Sequence, residues 1–424
     1  MPVDPSDPAP DLRALTRAFA RIGCLSFGGP AAQIALMHGE LVAARRWLTE
    51  RQFANALSFC MMLPGPEAMQ LATYAGWRLH GIRGGLVAGG LFVLPGALVI
   101  LVLAVVYAAF GQVPLVRALF LGVQAAVLAI VAQALLRLAG RALEGAAHWW
   151  LAGLAFAGLF LFDLPFPLVI ALAALYGLLT SGADAGTAAP LPAAAHGRTL
   201  PVVALWSGIW LVPLAALWLF EGGLLARIGS FFAQLAVVSF GGAYAVLAWM
   251  TQTVVQEQGW LTTTQMIDAL GLAETTPGPL ILVTEFVAYL AGAQAGGAWL
   301  GAAAALVALW ATFVPCFLWI FAGAPHIERL AAQPRLSGAL RAVTAAVVGV
   351  MASLALWFAA HVLFAEIETR RLGPLRLLQP EAASFVPEAF VLALAAGLAL
   401  IWRGWPLLPV LGGAALAGGV LGAV

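Results

Sequence analysis

Apolar runs separated by short breaks dominate this chain. Crossing about 30 Å of hydrocarbon takes roughly 20 residues. Spans are predicted over 84–110, 115–138, 149–162, 167–180, 201–220, 297–321, 337–364, 385–402 and 406–424, with 149–162 and 167–180 the short ones. Four other apolar segments, 12–27, 31–45, 50–63 and 67–80, are too short to cross alone and meet in pairs at Gly-Gly-Pro or Pro-Gly-Pro. The simplest reading is re-entrant helical hairpins with tips at mid-membrane, where irregular backbone is tolerated if it lines a buried or watery cavity. Strongly tilted full spans are the alternative. Residues 181–198, rich in Ala, Gly and Pro, read as a linker between halves.

The breaks occur twice. Ser26-Phe27-Gly28-Gly29, Trp47-Leu48-Thr49 and Pro64-Gly65-Pro66 return 213 residues later as Ser239-Phe240-Gly241-Gly242, Trp260-Leu261-Thr262 and Pro277-Gly278-Pro279. Phe19/Phe232, Met37/Met250 and Leu57/Leu270 keep the same offset. An internal repeat in an apolar chain, broken by Gly and Pro at corresponding places, is the pattern of a secondary transporter.

Composition narrows the reading. Apolar residues make up 63% of the 424, charged residues 9%, and mean hydropathy is +0.98, so most of the surface must face lipid. A net charge of +1 argues against nucleic acid as a partner. Cys24, Cys60 and Cys316 are far apart, and no His or Cys cluster has metal-ligand spacing, so no disulfide, metal or cofactor is implied. The polar, Pro-rich start is not a cleaved signal peptide. Eight Arg precede residue 84, whereas residues 223–296 hold one, Arg227, against four acids. Five crossings between the two motif regions, an odd number, make the halves antiparallel. The positive-inside rule then puts the N-terminus in the cytoplasm, with Arg370, Arg371 and Arg376 as exceptions lying outside.

Helix starts are predicted at Pro30, Pro66, Ala243 and Pro279, because Pro suits the first helical position. Each start carries about +0.5 of a charge and unpaired N–H groups, so four converging tips present roughly +2, a match for a dianion. Gly28, Gly29, Gly65, Gly241, Gly242 and Gly278 let an oxygen approach the main chain unhindered. Pro64 and Pro277 complete the breaks. Ser26, Gln33, Gln70, Tyr74, Ser239, Tyr244, Thr275, Thr276 and Thr284 flank them as candidate hydrogen-bonding groups, with interhelical bonding as their ordinary alternative. Glu67 and Glu274 are candidate proton-coupling carboxylates and Glu285 a weaker one. Glu67 at a helix start also complements the macrodipole. His38, Glu40, Arg45 and Arg46 form either a set of topology anchors with local ion pairs or a vestibule attracting anions.

FGGPAAQIALMHGELV, RRWLTE, LPGPEAMQLATYAGWRLHGIRGGLVAGGLFVLPG, FGGAYAVL and AETTPGPL resemble the chromate ion transporter family, in its long two-domain form. The resemblance implies export of chromate, or transport of the similar dianion sulfate, across the cytoplasmic membrane. It also implies functional roles for the Phe-Gly-Gly and Pro-Gly-Pro motifs. Ala243 for Pro30, Thr253 for Glu40 and Leu280 for Glu67 set the second copy apart from the first. The expected protein is an all-α polytopic membrane protein of two inverted repeats, 1–181 and 223–424, joined by a linker and helix at 182–222. A homodimer is compatible with it. An anion channel is the competing transport reading. An intramembrane enzyme is disfavoured, because the chain has no HExxH, GxSxG or nucleotide loop.

Overall fold

The computed structural model describes residues 10–181, 199–220, 222–240, 243–327 and 333–421, so the predicted linker lies almost wholly outside the described residues. Helices account for nearly all of it. Chain order runs α1 (Leu12–Leu25), α2 (Gly29–His38), α3 (Glu50–Cys60), α4 (Glu67–Phe110), α5 (Pro114–Ala142), α6 (Ala146–Phe160), α7 (Phe166–Thr180) and α8 (Thr199–Phe220). It continues with α9 (Leu224–Val238), α10 (Ala243–Thr251), α11 (Thr263–Thr275), α12 (Val283–Gly296), α13 (Ala298–Gly323), α14 (Pro334–Leu363), α15 (Pro387–Gly397) and α16 (Leu407–Leu421). Among the described residues five helices are long and apolar enough to cross a membrane: α4, α5, α8, α13 with its last turn, and α14.

The duplication written in the sequence reappears as geometry. Both α2 and α10 run directly into a π-helical turn, Gly39–Ala44 and Gln252–Glu257, again 213 residues apart. Thr49 and Thr262 each accept from the backbone of the residue three places on, Gln52 and Gln265, whose side chains bond back to the threonine amides. Two orphan donors are thus satisfied at the start of α3 and again at α11. Arg46 and Gly259 both take positive φ, 53° and 61°.

The short segments end where the breaks demand. α4 is interrupted at His80 and Gly81 (φ 60°), and the chain folds back so that Gly76 meets the backbone of Gly84, where neither has room for a side chain. Gly297 (φ 83°) separates α12 from α13 in the same manner. One helix start departs from expectation: after Pro279 a 3-10 turn, Leu280–Leu282, precedes α12. The second copy lacks an acid at the position of Glu67 to stabilise a first α-turn, Leu280 standing there instead.

The chain divides into two compact units that cut across the sequence halves. One holds Met1–Val105, Asp184–Ala243 and Thr276–Ser337; the other holds Val106–Ala183, Tyr244–Thr275 and Gly338–Val424. In the first, α13 packs on α8, α9 and α12, with Trp206 stacked on Phe317 at 5.8 Å. In the second, α5 lies against α15 and α16 around Val123, Ile130, Leu400 and Leu411. Gly122 and Gly418 permit the close approach of α5 and α16, the small-residue packing expected where lipid supplies no hydrophobic drive.

A β-hairpin, which the apolar pattern does not announce, joins α14 to α15. β1 (Ile367–Leu372) pairs antiparallel with β2 (Leu375–Pro380). Arg376 anchors it to the α6–α7 corner, its guanidinium donating to Asp163 Oδ1 and to Gln256 Oε1, each at 2.9 Å, and its amide donating to Leu161 O at 2.7 Å. Arg371 reaches the same carboxylate at 3.6 Å. A cavity of about 540 Å³ lies beside this cluster.

Candidate functional site

In the first compact unit the two repeats interlock. The Gly65 amide donates to the Ser239 carbonyl at 3.0 Å, and the Gly278 amide donates to the Ser26 carbonyl at 2.9 Å. Each Pro-Gly-Pro tip is therefore closed by the serine of the other copy. Ser26 and Ser239 can do this because α1 and α9 both stop there, their hydroxyls turned back to Gly23 O and Ala236 O at 2.9 and 3.0 Å. Gln33 completes one crossing by donating its amide to Gly278 O at 2.6 Å and Ser26 O at 3.2 Å. Gln70 stays within its own tip, donating to Pro64 O at 2.6 Å.

Backbone shape explains the glycines. Gly28, Gly29, Gly65 and Gly278 have φ of 86°, 79°, 119° and 88°, a region L side chains avoid. Behind Gly65 a Cβ would come within 2.7 Å of Gln70 Nε2 and 3.1 Å of Cys316 Sγ. Behind Gly278 it would meet Phe92 O at 3.5 Å and Gly96 Cα at 3.6 Å. The first tip thus rests on α13 and the second on α4.

Two of the amides the sequence leaves open to an oxyanion, those of Gly65 and Gly278, are already used by serine carbonyls. What remains at the first tip is the opening turn of α4, whose Glu67, Ala68 and Met69 amides have no intrahelical acceptor by position. A cavity of about 10 Å³ lies against Gly65, Pro66, Ser239, Ile281 and Thr312. Four buried polar atoms in this unit lack a hydrogen-bond partner among the described residues: Gln70 Oε1, Glu285 Oε2, Thr312 Oγ1 and Trp319 Nε1. Such orphans cost about 1–3 kcal/mol each, and of these four Thr312 is the one that lines the small cavity.

The remaining predicted residues divide. Pro30 sits in the first turn of α2 and Glu67 is the first residue of α4. Tyr74 is buried against Phe59 and Trp77. Thr276 and Thr284 are buried in the first unit, Thr284 bonding back to Ile281 O at 2.9 Å. Thr275 and Glu274 close α11 in the second unit, where Thr275 bonds Leu272 O at 2.7 Å. Gly241 and Gly242 lie outside the described residues, as does the side chain of Tyr244. At the other end of α2, Glu40 pairs with Arg21 and Arg45, each at 3.3 Å, and His38 bonds Glu50 at 2.8 Å. Arg45 also lies 5.0 Å over the Trp47 ring, while Arg46 is exposed.

Two features escaped the sequence reading. Thr312 is hidden in the apolar run of α13. Asp268, in the second unit, accepts from Tyr107 Oη at 2.6 Å and from Gln124 Nε2 at 2.7 Å while 3% exposed. A carboxylate midway along an apolar helix was the available signal for the second. Among the described residues no three His, Cys, Asp or Glu side chains converge to hold a metal ion.

Comparison with known proteins agrees with this duplicated layout. The family described as chromate transporter matches the chain twice, over residues 13–178 and 226–421. The chain is 30% identical over 391 residues to a probable chromate transport protein of Synechococcus elongatus, covering 92% of this chain and 95% of that one. It is 33% identical over 352 residues to a chromate transport protein of Cupriavidus metallidurans, covering 81% of each. A chromate transport protein of Pseudomonas aeruginosa is 33% identical over 340 residues, 78% of this chain and 77% of that one. No solved structure matches. With both repeats matched and these relatives spanning nearly its whole length, the chain belongs to the chromate transporter family.

Proposed function

We propose that this protein exports chromate from the cytoplasm across the inner membrane, binding the dianion at the interlocked tips of its two repeats. The observation that carries the site is the reciprocal bonding of Gly65 to Ser239 and of Gly278 to Ser26, which ties the two Pro-Gly-Pro motifs together, with the unpartnered Gln70 Oε1 and Thr312 Oγ1 belonging to side chains beside the first. Helix-start amides supply the positive potential, so no arginine has to enter the membrane. The space at the first tip, about 10 Å³, is water-sized. A tetrahedral oxyanion enters only when the tips part, which favours a carrier over an open channel.

The repeats run antiparallel in this reading. α6 and α7 have 15 residues each, so they either cross singly or form a re-entrant hairpin. Both choices leave an odd number of crossings between the motif regions. Basic residues of the first half then face the cytoplasm. The outward Arg371 and Arg376 are consistent with this placement, because Asp163 holds both. A membrane potential negative inside favours efflux by about 2.3 kcal/mol per charge at 100 mV, and by about twice that for a dianion. Transport therefore needs no proton, and Glu67 and Glu274 act structurally unless the flux follows the pH gradient.

Labelled chromate flux in proteoliposomes, with sulfate and molybdate as competitors, tests the proposal. Saturable flux stimulated by unlabelled chromate on the opposite side is expected. Flux carried only by sulfate would move the protein to sulfate exchange, and current proportional to the gradient without trans-stimulation would make it a channel.

A further inference from the structure

Five threonines in helices of this chain dispose of their hydroxyls in one way. Thr16, Thr73, Thr180, Thr251 and Thr344 each donate to the carbonyl four residues back, at 2.8–2.9 Å. This is the ordinary fate of a helical threonine with no other partner. Thr312 departs from it. It lies in the middle of α13, is 1% exposed, and its hydroxyl meets neither the Ala308 carbonyl nor any other group among the described residues. An unpaired hydroxyl inside an apolar environment is destabilising. The same residue lines the small cavity beside Gly65, Pro66 and Ser239. One turn further along α13, Cys316 Sγ lies behind Gly65, so this face of α13 is the floor on which the first tip sits.

We propose that Thr312 is a substrate-binding and specificity-determining residue, donating its hydroxyl to an oxygen of the tetrahedral oxyanion while the first-turn amides of α4 hold the others. This rests on the carrier reading above and adds a group that the repeated motifs do not contain. The chemistry fits. An anion oxygen offers only acceptors, the amides of Glu67, Ala68 and Met69 offer only donors, and a hydroxyl adds a donor from a second direction. A tetrahedral ion requires donors that do not lie in one plane, and a helix start alone supplies a cone around a single axis.

The pseudo-symmetry gives the proposal an asymmetric consequence. Around the second tip the facing positions of α4 are Phe92 and Gly96, against Gly278, and neither has a hydroxyl to give. The side-chain donor therefore serves one tip only, and the ion sits nearer Pro64-Gly65-Pro66 than Pro277-Gly278-Pro279.

The experiment compares wild type, Thr312→Val and Thr312→Ser in chromate counterflow, with the melting temperature of each purified protein measured alongside. Valine matches the shape of threonine and removes only the hydroxyl. The expected result is a KM for chromate raised roughly ten-fold or more in Thr312→Val, as loss of a hydrogen bond to a charged partner implies. Maximal rate should change far less, and Thr312→Ser should keep a KM near wild type. A KM for Thr312→Val within two-fold of wild type would overturn the proposal. So would an equal rise in both variants, since serine keeps the donor. Should Thr312→Val fold poorly, Thr312→Cys in a background with Cys24, Cys60 and Cys316 changed to Ala replaces it. Chromate must then slow modification of that thiol, with full labelling restored once chromate is washed away, which separates occupancy from oxidation of the thiol; unchanged labelling refutes the assignment. Absence of chromate flux in the wild type would instead refute the carrier reading itself.

Discussion

Replacing Gly65 with alanine tests the tip in a way that separates strain from contact. With φ at 119°, any L side chain is forced into a strained backbone, at about 1–3 kcal/mol. The new Cβ would also lie 2.7 Å from Gln70 Nε2, so the amide must swing away and lose its 2.6 Å bond to Pro64 O. That loss adds about 0.5–1.5 kcal/mol. Together Gly65→Ala should destabilise the protein by about 2–4 kcal/mol, and flux should fall with it. Gly29→Ala is the control: φ is 79° but no atom lies within 4 Å of its Cβ, so only the strain of about 1–2 kcal/mol applies. Gln70→Ala supplies the third corner, because it removes the colliding group. Thermal unfolding in detergent of wild type, Gly65→Ala, Gln70→Ala and the double variant, read beside chromate flux, completes a double-mutant cycle. Gly65→Ala should cost about 1 kcal/mol less in the Gln70→Ala background than alone. Strict additivity, or a Gly65→Ala protein as stable and active as wild type, would refute the packing described at this tip.

Four further outcomes follow. Gly278→Val should abolish transport while the protein still reaches the membrane, checked by flux at matched expression. Single cysteines near Arg51 and Glu257 should be labelled from opposite faces, Arg51 from the cytoplasm; labelling from one face would end the antiparallel arrangement. Asp163→Ala should free both Arg371 and Arg376, so that hydrogen exchange in Ile367–Pro380 rises while the helical cores stay protected. Outside the membrane, the neighbouring Glu366 carboxyl bonds Glu381 and raises its pKa above the ordinary carboxylate value. A raised acid stabilises the fold below its unfolded pKa and loses that contribution as pH rises through the folded one. Exchange protection at the hairpin base should accordingly fall as pH climbs from the acid range, and Glu381→Gln should flatten the fall.

Which parts of this molecule could be read from the chain depends on how local their causes are. Gly28, Gly65 and Gly278 mark breaks because a single residue's backbone freedom decides each, and the helices begin within a few residues of the expected starts. The π-helical turns have no such signature: Gly39–Ala44 and Gln252–Glu257 share a single residue, Val42 and Val255, and nothing in it marks a π turn. The bonds from Gly65 to Ser239 and from Gly278 to Ser26 were out of reach for another reason. Both motifs were visible, but their pairing is a tertiary fact spanning some 170–250 residues. The β-hairpin hid behind its charges, although Gly373-Pro374 between two segments of mixed polarity was a usable turn signal. Thr312 carries no pattern at all; only an unmet hydroxyl in three dimensions singles it out.

The exchange of bonds between tips also sets a clock on biosynthesis. When the ribosome has released Pro64-Gly65-Pro66, the carbonyl that will receive the Gly65 amide has not yet been made. At about 5–20 residues per second, the chain from Gly65 to Ser239 takes on the order of 10–35 s to appear. Throughout that interval the first repeat carries an open Gly65 amide in or near the bilayer, and the Ser26 carbonyl has only the Gln33 amide to meet. The first half therefore stays provisional, its tips served by water or by the insertion machinery, until α9 and the second Pro-Gly-Pro arrive to seal both at once.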